Sequence, residues 1–118
     1  MAINGLKEKK RFTLKKWEII RSKKDIKELK KGKVLENEYL KIIYLPKDMR
    51  KLLFSTEKTI KKAVKRNKLK RRLREIYRTN KEFFKENYYF WIIGKEKALE
   101  LSFDQLKENL LNLVKNVE

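Results

Sequence analysis

The sequence predicts an α+β fold, a small mixed sheet of about four strands with three helices in the order α-β-β-β-α-β-α. Three observations lead there. Tyr39–Leu45 and Tyr88–Ile93 are runs of β-branched and aromatic residues without helical period. Between them, Leu69, Leu73, Ile76 and Tyr77 form one apolar stripe at helical spacing within the very basic stretch Lys61–Arg78. After the second run, Ser102-Phe103-Asp104-Gln105 has the pattern of a capping box, and Phe103, Leu106, Leu110, Leu113, Val114 and Val117 continue as an amphipathic face. Strand, helix and strand in succession make the central helix a crossover connection, for which a right-handed path is the default.

Taken in order, Met1–Lys10 is polar, basic and expected to be flexible. Phe12 and Trp17 then stand in a basic stretch, where they either tuck against the domain's own surface or stack on a nucleic-acid base. Ser22 is a candidate N-cap for a short helix anchored by Ile26 and Leu29, with Lys30 and Lys31 suited to its C-terminal dipole and Gly32 as its stop. Lys33–Leu35 and Tyr39–Leu45 read as a hairpin bent at Glu36-Asn37-Glu38. Pro46-Lys47-Asp48 is the next turn and Lys51–Thr56 a further strand.

The main helix is drawn from Lys61 to Thr79. Its start carries a conflict, because Ile60, Ala63 and Val64 cluster about 180° from Leu69, Leu73 and Ile76 on a regular helix. Either the helix begins near Val64, or its first turn is gripped by something other than what grips its later turns. Asn80–Asn87 connects, with Phe83 and Phe84 extending the helix or packing beneath it. Tyr88–Ile93 is the strongest strand, buried on both faces or central in the sheet, and Gly94 stops it. Lys95–Leu101 is a loop or short turn. The apolar face of the last helix is read as core rather than as a partner surface.

The chain of 118 residues is read as a single domain, 1–118, large enough for one core. It carries 34 Lys and Arg against 16 Asp and Glu, a formal net charge of +18, and 41% of it is hydrophobic. That excludes a disordered basic tail and points to a polyanionic partner, nucleic acid ahead of an anionic membrane surface. With no Cys and no His, disulfides, thiolate nucleophiles, the usual zinc sites and imidazole catalysis are absent. No apolar run approaches the ~20 residues that span a bilayer and no signal peptide is apparent, so the expectation is a cytoplasmic protein without a membrane partner.

Within Lys61–Arg74 nine of fourteen residues are Lys or Arg and none is acidic. Asn67, Lys70, Arg71, Arg74 and Arg78 share a stripe opposite the apolar one. Cations so placed neutralise phosphates, and Asn reaches a base edge, a phosphate or a 2′-hydroxyl. A merely solvated face would hold these like charges together to no purpose. With about six phosphate contacts, affinity would fall on the order of a thousandfold between 50 and 200 mM salt. A DNA-reading helix would follow a short helix in a helix-turn-helix, which a helix between strands does not. The partner is therefore read as RNA and not DNA. A ribosomal or RNA-chaperone type of protein remains the alternative on charge and fold class. A protein-only nuclease lacks acid–base groups.

Ala63, Val64, Arg66, Asn67, Lys70, Arg71, Arg74 and Glu75 match the signature of the protein subunit of bacterial ribonuclease P, which the chain resembles. That signature reads Ala-Val, one residue, Arg-Asn-Arg, one residue, Lys-Arg, two residues, Arg-Glu; Lys68 stands at its second Arg, keeping the charge without the planar fork. More thinly, Asp25-Ile26, Gly32, Ile42-Ile43-Tyr44, Ser55, Lys58 and Leu101-Ser102 follow the family's order. Glu57, Thr59 and Lys61 depart from it, and Ile26 and Leu29 stand where the family often has Phe.

The resemblance implies a left-handed crossover and the role of protein subunit in ribonuclease P, the endoribonuclease that removes the 5′ leader of precursor tRNA. It implies a catalytic centre and Mg2+ held by the RNA, no catalytic residue or metal on the protein, and one protein per ribonuclease P RNA. It implies that Arg66, Asn67, Lys68, Lys70, Arg71 and Arg74 contact the catalytic RNA. Tyr44, Ile26 and Lys58 would face the leader in a cleft between the first helix and the sheet.

Overall fold

The computed structural model describes residues 18–117; Met1–Lys10, Phe12 and Trp17 lie outside them. Along those residues run α1 (Lys23–Leu29), β1 (Lys33–Glu36), β2 (Leu40–Pro46), β3 (Lys51–Thr56), α2 (Ala63–Thr79), β4 (Tyr88–Gly94) and α3 (Phe103–Val114). Short 3-10 turns at Lys81–Phe83 and Glu96–Glu100 flank β4. The strands lie in the order β1-β2-β4-β3. β2 is antiparallel to both β1 and β4, whereas β3 runs parallel to β4. The aromatic run is therefore interior, and α2 is the crossover that carries the chain from β3 to its parallel neighbour.

Local chemistry accounts for the element ends. At the hairpin the Asn37 side-chain oxygen accepts from the backbone N–H groups of Tyr39 and Leu40, each at 2.8 Å. This short polar loop leaves β1 and β2 in the register Lys33↔Tyr44. Gly32 is required by proximity, since a Cβ there would lie 2.3 Å from the Tyr44 carbonyl oxygen. At α3 both bonds of the Ser102–Gln105 capping box form, at 3.2 Å and 3.0 Å.

Strand alternation sorts the apolar residues into two layers of unequal size. On the larger face Leu40, Ile42, Leu52, Phe90 and Ile92 meet Leu69, Leu73, Ile76 and Tyr77 of α2 and Leu106, Leu110 and Val114 of α3. On the other face Ile43 and Tyr89 meet Ile20 and Leu29, with Ile26, Leu45, Leu53, Trp91 and Ile93 half-buried around them. So α2 and α3 share one side of the sheet, and α1 stands alone on the other.

The conflict at the start of the basic helix resolves simply. α2 begins at Ala63 rather than Lys61. Ile60 enters the core from the preceding loop, only 3% exposed, while Val64 is 79% exposed. The first turn of α2 is gripped by no part of the core.

Two features hold α2 on the sheet. Gly94 lies beneath it, where a Cβ would come within 2.5 Å of Leu69 Cδ2 and 2.9 Å of its Cγ. At the far end the Tyr77 hydroxyl donates to Glu18 Oε2 at 2.5 Å and accepts from Arg50 Nε at 2.9 Å. Lys81 completes the cluster with an ion pair to Glu18 Oε1 at 2.8 Å, and Arg50 reaches on to the Phe84 carbonyl at 2.8 Å. The Tyr77 ring meets Phe84 edge-on at 5.0 Å. Burial, then the hydrogen bond to Glu18, push the Tyr77 hydroxyl well above its ordinary value of 10.0.

Gly94→Ala is expected to cost roughly 1–3 kcal/mol, because Leu69 is enclosed and cannot yield freely; urea unfolding measures it. Tyr77→Phe is expected to cost roughly 1–3 kcal/mol near neutral pH, since Arg50 and Glu18 lose a buried partner. Above pH 10 the unfolded chain gives up the Tyr77 proton while the folded chain keeps it. The wild-type lead over Tyr77→Phe is thus complete below pH 10 and shrinks as pH rises past it. Paired urea midpoints at pH 8 and above pH 10 check the sign.

Candidate nucleic-acid interface

With Leu69, Leu73, Ile76 and Tyr77 buried, α2 has to present its charged residues outward. They divide by what they touch. Arg66 donates to the carbonyls of Ile60 and Lys61 at 2.6 and 2.8 Å, tying the entry loop to the helix. Arg72 donates to the Leu101 carbonyl at 3.3 Å. Arg78 pairs with Glu75 one turn back, which raises the guanidinium pKa and holds the carboxyl below its usual range. By contrast, the side chains of Asn67, Lys68, Lys70, Arg71 and Arg74 have no hydrogen-bond or ion-pair partner among the described residues. All but the half-buried Lys70 are exposed.

The residues expected to share a cleft are not all brought together. Ile26, on α1, is half-buried against the smaller face of the sheet. Tyr44 lies on the opposite face, 4% exposed, in the core under α2 and α3 and 5.9 Å from the Tyr88 ring. Placing Tyr44 beside Ile26 is therefore corrected, and the reason is strand parity. Leu40, Ile42 and Tyr44 alternate to one side, which leaves Ile43 and Leu45 for the side that α1 covers. Lys58 is exposed in the loop after β3, whose last residue pairs with Gly94.

The α1 side of the sheet holds an aromatic that sequence reasoning passed over. Trp91 is half-buried there, flanked in register by Ile43 on β2 and Leu53 on β3. Its indole Nε1–H donates to Ser55 Oγ at 2.7 Å, which fixes the ring's orientation. Toward the Pro46 end, α1 is fastened by the Glu28–Lys47 ion pair, and Lys47 Nζ sits 5.5 Å from the centroid of the Tyr89 ring. The hydrogen bond and charge of Lys47 hold the Glu28 carboxyl below its usual range. Past Trp91, toward Gly94, come Ser55, Ile93 and Lys41, each half-buried. The result is a half-buried strip with Trp91 at its middle and Lys58 just past the end of β3. Alternation through Tyr89, Trp91 and Ile93 was the available signal, but it needed the side on which α1 docks.

Fold and surface first define a class: a small, strongly basic α+β protein whose parallel crossover is a helix with an outward group of unpaired cations. The chain belongs to the ribonuclease P protein family, since the family model described as Ribonuclease P matches residues 14–118. It is 35% identical over 114 residues to the ribonuclease P protein component of Petrotoga mobilis, covering 90% of this chain and 96% of that one. With the component from Thermotoga maritima it shares 36% over 95 residues, covering 75% and 81%. The solved Thermotoga maritima RNase P protein superposes with a TM-score of 0.77 at 34% identity, over 86% of this chain and 98% of that one. The Staphylococcus aureus RNase P protein, at 24% identity and a TM-score of 0.74, shows the same fold. The chain is thus a protein component of a ribonucleoprotein enzyme, and membership implies partnership with ribonuclease P RNA. No helix among the described residues is long and apolar enough to cross a membrane.

The division among the cations makes a stability prediction. Lys70→Gln, Arg71→Gln and Arg74→Gln together should leave the melting temperature unchanged or raise it, because unpaired like charges are removed. Arg66→Gln should cost roughly 1–2 kcal/mol, because two carbonyls lose a charged donor. Thermal unfolding of the two variants separates surface charge from structural charge.

Proposed function

We propose that the chain works by binding two RNAs on opposite sides of its sheet: the catalytic RNA of ribonuclease P on α2, and the 5′ leader of precursor tRNA on the half-buried strip beside α1. The observation that carries this reading is the group Asn67, Lys68, Lys70, Arg71 and Arg74, held outward without protein partners. Phosphates supply the missing countercharge, and Asn67 adds a donor and an acceptor for a 2′-hydroxyl or base edge. Arg66 stands at the same end of the helix. With one amine on the Ile60 and Lys61 carbonyls, it positions the entry loop and offers the rest of its fork to the RNA.

On this strip a single-stranded leader would stack a base on Trp91, beside Ile26, and run toward Lys58. Base-on-aromatic stacking is sequence-tolerant, which suits a partner whose leaders differ. Trp91 here takes the part that the family's helix aromatics would play, since Ile26 and Leu29 are aliphatic. In this reading the RNA holds Mg2+ and cuts, one protein serves each RNA, and the assembly is cytoplasmic. The protein's share is binding and alignment.

The test is reconstitution with a bacterial ribonuclease P RNA and a precursor tRNA at low Mg2+. The protein is expected to raise the rate of leader removal over RNA alone. No gain, alongside tight binding to unrelated RNAs, would contradict the reading. Trp91→Ala is expected to weaken binding of precursor tRNA to the assembled enzyme by roughly 5–100-fold, the loss of about one stacked base. Mature tRNA affinity, measured in parallel, should not change.

A further inference from the structure

Beside the face just assigned, α2 has a second basic flank that borders a groove. Two concavities of about 330 and 250 Å3 adjoin there, sharing Lys65 and Leu99 in their linings, and together they border a groove between α2 and the 3-10 turn Glu96–Glu100. Lys61 and Lys62 line the first, and Arg72 and Lys68 the second; Lys68, already counted in the outward group of α2, stands where the two flanks meet. Against these five cations the groove presents one carboxylate, Glu96. None of the side chains of Lys61, Lys62 and Lys65 has a hydrogen-bond or ion-pair partner among the described residues, and all three are exposed.

The walls are fixed. The Glu96 backbone N–H is held by Glu57 Oε1 at 2.9 Å, and Arg72 reaches across to the Leu101 carbonyl. At 100° per residue Lys65, Lys68 and Arg72 point about 160° away from the mean direction of Asn67, Lys70 and Arg74. On a helix about 10–12 Å across, one RNA strand laid along the first face does not also fill this groove.

We propose that this groove is a second RNA-binding site, which takes the sugar-phosphate backbone of another segment of the same catalytic RNA. Lysine ammonium groups recurring along the helix suit repeating phosphates and read no sequence. Leu99 and Leu101 offer aliphatic surface to the riboses between them. A lipid surface fits poorly, because these leucines are half-buried within a concavity rather than projecting from it. The proposal rests on the ribonuclease P reading for the identity of the RNA, and it makes α2 a helix gripped on two flanks.

The experiment compares Lys61→Gln/Lys62→Gln/Lys65→Gln with Asn67→Ala/Arg71→Gln/Arg74→Gln, using the full chain and a bacterial ribonuclease P RNA. Affinity is measured across a salt series, and backbone protection by hydroxyl-radical footprinting. The lysine variant is expected to lose roughly tenfold in affinity at moderate salt, with a log–log salt slope shallower by about 2. It should lose protection in an RNA segment that the other variant leaves protected. An unchanged slope, or loss of the same protected segment in both variants, overturns the second site alone. Failure of the wild-type protein to bind the catalytic RNA overturns the ribonuclease P reading and this proposal with it.

Discussion

A helix that carries Lys65, Arg66, Lys68, Lys70, Arg71, Arg72, Arg74 and Arg78 against the single carboxylate of Glu75 repels itself along its length. Its helicity has to come from outside, from the apolar stripe that docks it. Everything else in the fold serves that docking. Gly94 lets Leu69 approach the sheet, Ile60 plugs the core where the helix has not yet begun, and Arg66 ties the entry loop down. At the exit Tyr77 gathers Glu18 and Arg50, and Lys81 joins through Glu18. Residues from three other parts of the chain thus pin the last turns of α2. The more firmly the inner stripe is held, the less the outer one needs protein partners of its own.

The sheet then acts as a partition. Its larger face is spent on supporting α2 and α3, its smaller face is only partly covered by α1, and strand parity decides which residue belongs to which. Tyr44 and Trp91 illustrate the consequence. Both are aromatic and both lie on interior strands, yet one is core beneath the basic helix and the other is half-buried on the far side. In the proposed reading this separation keeps the catalytic RNA and the leader from competing for the same surface.

Most elements were legible because each was marked by local chemistry. The capping box at Ser102, the Asn37 hairpin and the limits of Lys51–Thr56 needed no tertiary information. The outward stripe on α2 was legible because its complement, Leu69 to Tyr77, is unbroken. What escaped the sequence depends on long-range placement. Parity separates Ile43 from Tyr44, but nothing local says which one α1 will cover. Nothing local singles out Glu18 and Arg50, and only the fold brings them to Tyr77. Arg66 is indistinguishable from its neighbours in the basic run, and only the path of the loop at Ile60 sets it apart. The grip at the start of α2 was an open question of geometry, and the structure answers it by leaving Val64 outside the core.

The central claim is that the two sides of the sheet bind separate RNAs independently. A double-mutant cycle on the reconstituted enzyme tests it most directly, with Arg71→Gln/Arg74→Gln on one arm and Trp91→Ala on the other. Assembly with the catalytic RNA and discrimination between precursor and mature tRNA are read for every variant. The α2 change is predicted to weaken assembly and leave discrimination intact, Trp91→Ala to do the reverse, and the combined variant to show the two losses added within about 0.5 kcal/mol. Losses of both quantities in both single variants, or a coupling well beyond that margin, would contradict the division of the molecule into two faces.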